Sequence, residues 1–357
     1  MASISVKLGL STATILTLLS LNSCATLSYY RQSVSGHMEI MRKSRPIEII
    51  LKDETTAPEL KHNLQQAVEI RKYASTALLL PENDSYSKYV DLGRPYVVWN
   101  VVATPEFSLE PLSWCFPVVG CLTYRGYFSK DTAISYAADL QAQGYDVHIA
   151  GVTAYSTLGW FADPLVNTML QNGQVNLARV IFHELAHQLI YFADDTDFNE
   201  AFADAIAEYG VRRWLMDNNL QAELKAFDQT LASENQFNML IFKYKAELEN
   251  LYHLPLDEDE LRRRKQEVFN RMVQEYELSH ATWPAPDDYS AWFKSGMNNA
   301  KLALVLTYRD LVSDFKAVLV REHYDLQKFY RTIGELRHCD KTARRRFLAS
   351  NLPNISC

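Results

Sequence analysis

The chain begins with hydrophobic patterns of helical period. Residues 28–45 carry Val34, Met38 and Met41 at four-and-three spacing, which predicts an amphipathic helix with these side chains on its inward face. Residues 57–80 repeat a pattern of the same period. Two helices are therefore predicted before the first strand.

The pattern then changes to short apolar runs, which predict strands. Residues 89–128 are rich in Val, Tyr, Phe and Trp, and 96–102 is the clearest strand among them. A helix is predicted over 132–143, where Gly144 closes a periodic run, and a strand over 146–150. A small mixed sheet is therefore expected in this part of the chain.

Helical patterns return and continue to the C-terminus. A helix is predicted over 176–192, and the chain from 198 onward is almost entirely helical. Residues 220–279 place Glu and Lys or Arg at helical spacing, which is typical of a protruding helical hairpin, and 298–320 form an apolar helix. This order predicts an α+β fold, with a small mixed sheet before the 176–192 helix and a mostly helical C-terminal region.

Composition and charge narrow the class of protein. The 357 residues are 48% hydrophobic and 22% charged, a globular composition with enough apolar material for two subdomains around one cleft. The net charge is -7, and the basic runs at 262–265 and 344–346 lie in acidic or mixed helical surroundings, which is typical of a solvated face. No nucleic-acid partner is expected.

The N-terminus has the features of an export signal. Lys7 precedes an apolar run over 8–21, so residues 1–23 are predicted to be a secretory signal peptide, too short for a comfortable transmembrane helix. The sequence LNSC ending at Cys24 resembles a bacterial lipobox, which implies a lipid on Cys24 that holds the protein on a membrane. Ala25 resembles outer-membrane sorting, so we expect a cell-envelope protein on the outer membrane, facing the periplasm. A plain cleaved signal and an uncleaved anchor remain alternatives.

Four further cysteines suggest disulfides. An even number of cysteines in an exported protein predicts two bridges. Local pairing of Cys115 with Cys121 and of Cys339 with Cys357 is favoured among three connectivities. The alternative leaves Cys339 and Cys357 free.

The motif His183-Glu184-Leu-Ala-His187 carries the most specific chemistry in the sequence. Residues four apart lie on the same face of a helix, so both imidazoles can bind one metal ion. Glu184 lies beside that ion, where it can act as general base. Two histidines and a carboxylate with one open position are typical of catalytic zinc, so one Zn²⁺ per chain is expected.

Glu200 is the candidate third ligand. It lies thirteen positions after His187 and is predicted in the first turn of the next helix. Asp204, one turn further, can accept a hydrogen bond from a ligating histidine and fix its orientation. The alternative makes Glu200 the carboxylate of a capping box whose N-cap is Asp197.

Residues 199–204 resemble the second motif of the thermolysin-like and aminopeptidase N-like zinc peptidases, the gluzincins. In that group the Glu is the third ligand and the Asp four residues later orients a ligand, which implies these roles for Glu200 and Asp204. Asn199, at the start of the motif, is with Asp204 a candidate for supporting the ligands from outside. The connection between the second His and this Glu is longer in those families, since only twelve residues separate His187 from Glu200 here.

A closer resemblance covers nearly the whole mature chain. The segments 114–121, 124–128, 154–161 with Asp163-Pro164, and 298–300 are similar to the predicted aminopeptidase lipoproteins of Gram-negative bacteria. The resemblance implies a zincin-like metallopeptidase fold and a peptide substrate. It supports a peptidase more strongly than an exopeptidase.

Four segments follow from these features. Residues 1–23 are the signal peptide, and 24–85 are the lipid anchor and N-terminal helices. Residues 86–217 are the zincin-like catalytic core. Residues 218–357 are the helical C-terminal region.

The strand that borders the cleft in zincins pairs with the extended substrate. Residues 154–161 are the candidate for this strand, with Tyr155, Ser156 and Gly159 contacting substrate. The alternative is that the aromatic residues of this segment, Trp160 and Phe161 included, fill the core beneath the metal-binding helix.

The resemblance to gluzincins also implies a second donor to the reacting carbonyl. In those enzymes a Tyr or His from the downstream region has this role, so Tyr308 is the candidate, with Tyr209 and Tyr289 as alternatives. An aminopeptidase must also bind an α-amino group. Glu106 and Glu110 could do so, although exposed loop carboxylates are the simpler interpretation.

The sequence thus predicts a zinc-dependent peptide hydrolase of the envelope, an aminopeptidase in the first instance. An endopeptidase is one alternative. A non-catalytic zinc-binding lipoprotein, with the helical region as a protein-binding surface, is the other. A structural zinc site ordinarily has four protein ligands, whereas only three are found here and Glu184 would have no purpose, so the enzyme is favoured.

Overall fold

The computed structural model describes residues 27–116, 120–193, 195–285, 289–306, 311–350 and 357. The strands are β1 (Arg45–Pro46), β2 (Lys88–Val90), β3 (Val98–Pro105), β4 (Trp114–Phe116), β5 (Gly120–Leu122), β6 (Arg125–Tyr127), β7 (Tyr145–Val152) and β8 (Leu165–Val166). The helices are α1 (27–43), α2 (Ile47–Lys52), α3 (Pro58–Thr76), α4 (Lys130–Ala142), α5 (Gly173–Leu189), α6 (Thr196–Asp217), α7 (Gln221–Tyr252), α8 (Glu258–Ser279), α9 (Ser290–Lys294), α10 (Asn299–Leu306), α11 (Val312–Arg321), α12 (Leu326–Glu335) and α13 (Lys341–Ala349). Short 3₁₀ helices lie at Asn167–Leu170, His280–Thr282 and Leu336–His338.

The predicted α+β class is confirmed, because the chain is mostly helical with small sheets. The predicted strands over 96–102 and 146–150 correspond to β3 and β7, and the helix over 132–143 corresponds to α4. α4 begins two residues earlier than predicted, where the Ser129 side chain accepts a hydrogen bond from the Thr132 amide. No helix among the described residues is long and apolar enough to span a bilayer.

β3 is the central strand of the sheet that positions the site. It pairs antiparallel with β6 on one side and β7 on the other. Its residues alternate between faces, so Trp99, Val101 and Ala103 pack in a core with α4, whereas Val98 and Asn100 line a cleft. One face of the sheet therefore builds the core and the other builds the site.

Two smaller sheets complete the β structure. In the first, β2 lies between antiparallel β1 and parallel β8. The second is the β4–β5 hairpin, in which Cys115 and Cys121 are opposite each other and joined by a disulfide. A second disulfide joins Cys339 to Cys357. Both predicted local pairings are confirmed.

α5 and α6 pack against each other in the largest core, which also includes side chains from α3 and from the C-terminal helices α11 to α13. Gly210 of α6 lies at a close approach: a Cβ at this position would lie 2.6 Å from Leu78 and 2.9 Å from Phe182 of α5. A side chain at this point would push the two helices apart.

α7 and α8 form the predicted helical hairpin, and its apolar core also includes Leu109, Phe293 of α9 and Leu302 of α10. Lys265 of α8 is buried and its ammonium lies 2.7 Å from the Asp146 carboxylate on β7. The same carboxylate accepts a hydrogen bond from the Asn299 amide at the start of α10. This network joins the hairpin and α10 to the central sheet.

The predicted inward face of α1 is wrong. Val34 and Met38 are 61% and 58% exposed, and the buried positions are Gly36 and Ile40. A Cβ on Gly36 would collide with the Phe128 ring, so α1 packs closely against Phe128 through the face that carries Gly36. Met41, the third residue of the predicted stripe, is half-buried, so the stripe points outward at Val34 and Met38.

The contact at Gly210 predicts a measurable cost of adding one methyl group. We expect Gly210→Ala to lower the free energy of unfolding by about 1–3 kcal/mol, because overpacking outweighs the helix propensity of Ala. Gly334→Ala in α12 is the matched control, since nothing lies within 4 Å of a Cβ there, and it should raise stability by up to about 1 kcal/mol. Denaturant unfolding of both variants measures the difference. Equal stability of the two variants would contradict the close approach.

Candidate metal centre and cleft

α5 carries the first two candidate ligands and the candidate base. His183 and His187 are one turn apart, and their Nε2 atoms lie 3.0 Å from each other. Glu184 is next to His183 in the sequence and lines the same cleft. The helix begins and ends three residues earlier than predicted, because Ile190 is already extended. The predicted spacing on one face is retained.

Glu200 of α6 completes the group. Its Oε2 lies 3.2 Å from His183 Nε2 and 3.6 Å from His187 Nε2. The ligand atoms of the three residues all lie within 4.8 Å of one another, so the group could hold a metal ion. The capping-box alternative is wrong, because the N-cap of α6 is Asp195 and Asp197 is inside the first turn. Glu200 is thus one residue beyond that turn.

Asp204 orients one of the histidines. His183 Nδ1 lies 3.0 Å from Asp204 Oδ1, which directs Nε2 of the same ring toward Glu200. Nδ1 of His187 is buried and has no hydrogen-bond partner among the described residues. The structure thus supplies an orienting carboxylate for His183.

The electrostatics of the group favour positive charge. Burial acts to lower the pKa of His183, but the hydrogen bonds and charges of Asp204 and Glu200 outweigh it and hold this pKa well above its usual value. Burial acts to raise the pKa of Glu200, but the two histidines outweigh it and lower this pKa. The negative charges of Asp204 and Glu200, which favour the protonated form of His183, would also stabilise a metal cation at this position.

Asn199 holds the connection between α5 and α6. Its side chain accepts a hydrogen bond from the Phe192 amide and donates one to the Phe192 carbonyl, each at 2.8 Å. It also lines the cleft, but its hydrogen bonds go to this backbone and not to a candidate ligand. Asn199 therefore fixes the path of the chain between the two ligand-bearing helices.

The basic run at 344–346 is not the solvated face that the sequence suggested. Arg344 is buried, and its guanidinium lies 2.8 Å from the Asp195 carboxylate at the start of α6. Arg345 binds the other oxygen of the same carboxylate at 2.7 Å. The C-terminal helix α13 is therefore joined to the α5–α6 connection by charge.

The cleft beside the candidate ligands has a volume of about 690 Å³. The carboxylates among the described residues that line it are Glu184 and Glu200. The rest of the lining is largely aromatic and aliphatic, and includes Tyr29, Tyr30, Val98, Phe116, Leu122, Tyr124, Phe128, Val152, Tyr155, Leu158 and Tyr191. A charged centre thus lies against an apolar wall.

The predicted strand over 154–161 is absent, and this segment is a loop. Asp163 is buried and accepts hydrogen bonds from the amide and hydroxyl of Thr157, each at 2.8 Å, which folds the loop back on itself. Burial, with a smaller contribution from Glu184, raises the pKa of Asp163 to about 6. Hydrogen bonds to the Asp163 carboxylate thus hold this loop, in place of the backbone hydrogen bonds that would hold a strand.

The loop residues proposed for substrate binding have different positions. Tyr155 and Ser156 line the cleft, and the Tyr155 hydroxyl is 2.9 Å from His37 Nδ1. Gly159 lies outside that lining, packed against Gln188. The alternative that the other aromatic residues fill the core is wrong, because Trp160 is 69% exposed and Phe161 is 54% exposed.

Tyr308 lies outside the described residues. Its two alternatives are in apolar clusters away from the cleft lining, since Tyr209 stacks on Tyr324 and Tyr289 stacks on Phe237. Glu106 pairs with Arg262 of α8, and Glu110 is exposed. The interpretation of these two carboxylates as surface groups is therefore the better one.

Sequence reasoning missed Tyr124, which lies between β5 and β6 and lines the cleft. Burial raises the pKa of its phenol. The nearby charge of Glu200, the Tyr191 side chain and the charge of Glu184 raise this pKa further. The phenol is therefore neutral, and it lines the same cleft as both carboxylates. The only sequence signal was its place at the start of the 124–128 segment.

The comparison with known families agrees with this arrangement. The sequence model of a family described as "Putative aminopeptidase" matches residues 28–348. The chain belongs to this family. Membership suggests a peptidase and a peptide substrate, and the matched range includes all four residues of the candidate metal centre, Glu184 among them. No curated protein and no solved structure matches the chain significantly.

The contact between His183 and Asp204 predicts a selective loss of metal affinity. Asp204→Asn keeps the shape of the side chain but removes the charge, so we expect divalent-metal affinity to fall by about 10–100-fold with little change in thermal stability. Asp197→Asn on the exposed part of α6 is the matched control. Competition with a chromogenic chelator measures both variants. Unchanged affinity in Asp204→Asn would contradict the orienting role.

Proposed function

We propose that the protein is a zinc-dependent peptide hydrolase in which Glu184 is the general base. The observation that carries the proposal is the convergence of His183, His187 and Glu200 on one point, with Glu184 in the same cleft. Two imidazoles and one carboxylate form a ligand set of catalytic zinc, and a three-residue set leaves a position for water or substrate.

The distances support zinc. Tetrahedral zinc with bonds of 2.0–2.1 Å requires ligand atoms about 3.3 Å apart. The three separations are 3.0, 3.2 and 3.6 Å. An ion can therefore be bound with shifts of a few tenths of an ångström.

Each residue has a defined role in the proposed reaction. His183, His187 and Glu200 would hold the zinc ion, which would act as a Lewis acid toward the peptide carbonyl and the attacking water. Glu184 takes the proton from that water and delivers it to the leaving amine. The Tyr124 phenol donates a hydrogen bond to the carbonyl oxygen as it becomes negative, the role for which the resemblance to gluzincins made Tyr308 a candidate.

The family description favours an aminopeptidase, and we propose this as the first mode of cleavage. A second candidate, an endopeptidase, is favoured by one feature of the cleft. An α-ammonium group needs a carboxylate partner, but Glu184 and Glu200 are the carboxylates of the described lining and both have other roles. The aromatic wall favours apolar side chains of the substrate in either mode.

We also propose that the enzyme is a lipoprotein of the bacterial envelope, anchored through Cys24 and facing the periplasm from the outer membrane. The lipobox-like sequence supports the anchor. The disulfides Cys115–Cys121 and Cys339–Cys357 support an oxidising compartment.

Cleavage of a mixed peptide library, read by mass spectrometry, tests the proposed chemistry. We expect zinc-loaded protein to cleave, and Glu184→Gln to lower the rate by at least about 100-fold with unchanged zinc content, because the general base is lost. Glu277→Gln, an exposed residue of α8, is the matched control. Release of single N-terminal residues identifies an aminopeptidase, and internal cuts identify an endopeptidase. Bound zinc without any cleavage would favour the non-catalytic lipoprotein.

The assignment of Tyr124 predicts an effect on kcat. We expect Tyr124→Phe to lower kcat by about 10²–10³-fold with little change in KM, because the hydrogen bond strengthens only as the carbonyl oxygen gains charge. Tyr324→Phe is the control, since Tyr324 is 54% exposed and is not among the residues that line the cleft. Tyr191→Phe is the informative comparison, since Tyr191 also lines the cleft. A loss of kcat in Tyr191→Phe alone would move the role to that residue.

A further inference from the structure

The exposed face of α1 carries three aligned apolar side chains, an apolar stripe. Leu27, Val34 and Met38 are all more than half exposed. At 100° per residue these three side chains lie within about 40° of one another around the helix. Burial of the stripe in water-free surroundings would be favourable, but the protein itself covers the opposite side of the helix, through Gly36 and Ile40.

A second exposed apolar element adjoins α1. The Phe161 ring lies 4.6 Å from the His37 ring, which is next to Met38 on the helix. Trp160 precedes Phe161 and is the more exposed of the two. The Thr157–Asp163 hydrogen bonds hold this loop tip in place. The tip and the stripe of α1 therefore form one surface, the α1 patch, made of Leu27, Val34, Met38, Trp160 and Phe161.

The charges that border the α1 patch are basic. Arg31 and Arg42 are exposed and lie about 40–60° from Leu27 around the helix, along one side of the stripe. An apolar stripe with arginine along its edge and Trp at its margin is the composition of a helix that lies in a membrane interface. Anionic phospholipid headgroups would pair with the arginines.

The sequence places the patch next to the anchor. Cys24, the proposed lipidation site, is three residues before Leu27. We propose that the α1 patch lies on the surface of a phospholipid bilayer, with Val34, Met38 and Trp160 in the interface. This inference rests on the proposed lipid anchor and not on the proposed peptidase activity.

The docked orientation has a consequence for the cleft. Tyr29, Tyr30 and Ser33 of α1 line the cleft, while Val34 on the same helix belongs to the patch. Tyr30 lies about 40° from Val34 around the helix, so the cleft lining and the patch adjoin along α1. The mouth of the cleft is held close to the membrane surface, where peptide segments next to the bilayer are within reach.

Quenching of tryptophan by brominated lipid tests the docking. The full chain, processed in a Gram-negative host and purified in detergent, is reconstituted into phosphatidylethanolamine and phosphatidylglycerol vesicles with brominated acyl chains. Of the six tryptophans, the Trp160 signal is obtained by subtracting the Trp160→Phe variant. We expect brominated lipid to lower Trp160 emission by at least about twofold.

A matched pair of double variants identifies the surface. Val34→Glu with Met38→Glu should abolish the quenching of Trp160, while the lipid on Cys24 keeps the protein in the membrane fraction. Met239→Glu with Leu278→Glu places the same charges on apolar residues of α7 and α8 that are at least as exposed, and should leave quenching unchanged. Thermal unfolding of each variant checks that the fold is retained.

Three results would overturn the inference. The first is unquenched Trp160 in protein that stays with the vesicles. The second is a concentration-dependent dimer that the Val34 and Met38 variant loses, again without quenching, which would make the patch a contact between copies. The third is wild-type protein in the soluble fraction, which removes the anchor as well. Peptide cleavage, measured separately in detergent, distinguishes all three from failure of the proposed peptidase.

Discussion

The packing of α5 against α6 is the contact on which the rest of the structure depends. One helix supplies both histidines and Glu184, and the other supplies Glu200 and Asp204, so the separation of the helices sets the separation of the ligand atoms. Gly210 keeps that separation small. Because metal ligands tolerate displacements of only a few tenths of an ångström, a rigid, close-packed helix pair is a better support for the centre than a loop.

The need to hold α5 and α6 at a fixed separation also explains why distant parts of the chain belong to one core. The connection between the two helices is short and is closed by Asn199 and by Asp195, whose buried carboxylate is bound by Arg344 and Arg345 of α13. A buried carboxylate is costly unless it is paired, so loss of these arginines would leave an uncompensated charge next to the site. The C-terminal helix α13 therefore supports the candidate centre, whose ligands among the described residues all come from α5 and α6.

Helical period over a few residues predicts which residues of the candidate centre share a helix face: His183 with His187 on α5, and Glu200 with Asp204 on α6. The contacts between these two pairs depend on the packing of α5 against α6. Prediction from helical period fails for α1, because the period shows which residues share a face but not which face points inward. That choice depends on the fit of Gly36 against Phe128, a contact between residues far apart in the chain. Tyr124 was missed for the same reason, since only the tertiary fold brings it near Glu200.

The division of the β3 residues between core and cleft gives the cleft one largely apolar wall. The face with Val98 and Asn100 meets the aromatic wall, so a substrate side chain that enters the cleft leaves water for an apolar surface, at a gain of about 1.5–3 kcal/mol for a large apolar residue. The candidate metal ligands and Glu184 face the same space, where low polarity strengthens charge interactions. Binding by apolar burial and backbone polarisation requires no charged group on the substrate.

An α-ammonium group would have to share Glu184 or Glu200 with the reaction itself, or find a carboxylate beyond the described lining. The geometry of the wall thus makes the position of the substrate amine, and not the metal chemistry, the feature that separates exopeptidase from endopeptidase action.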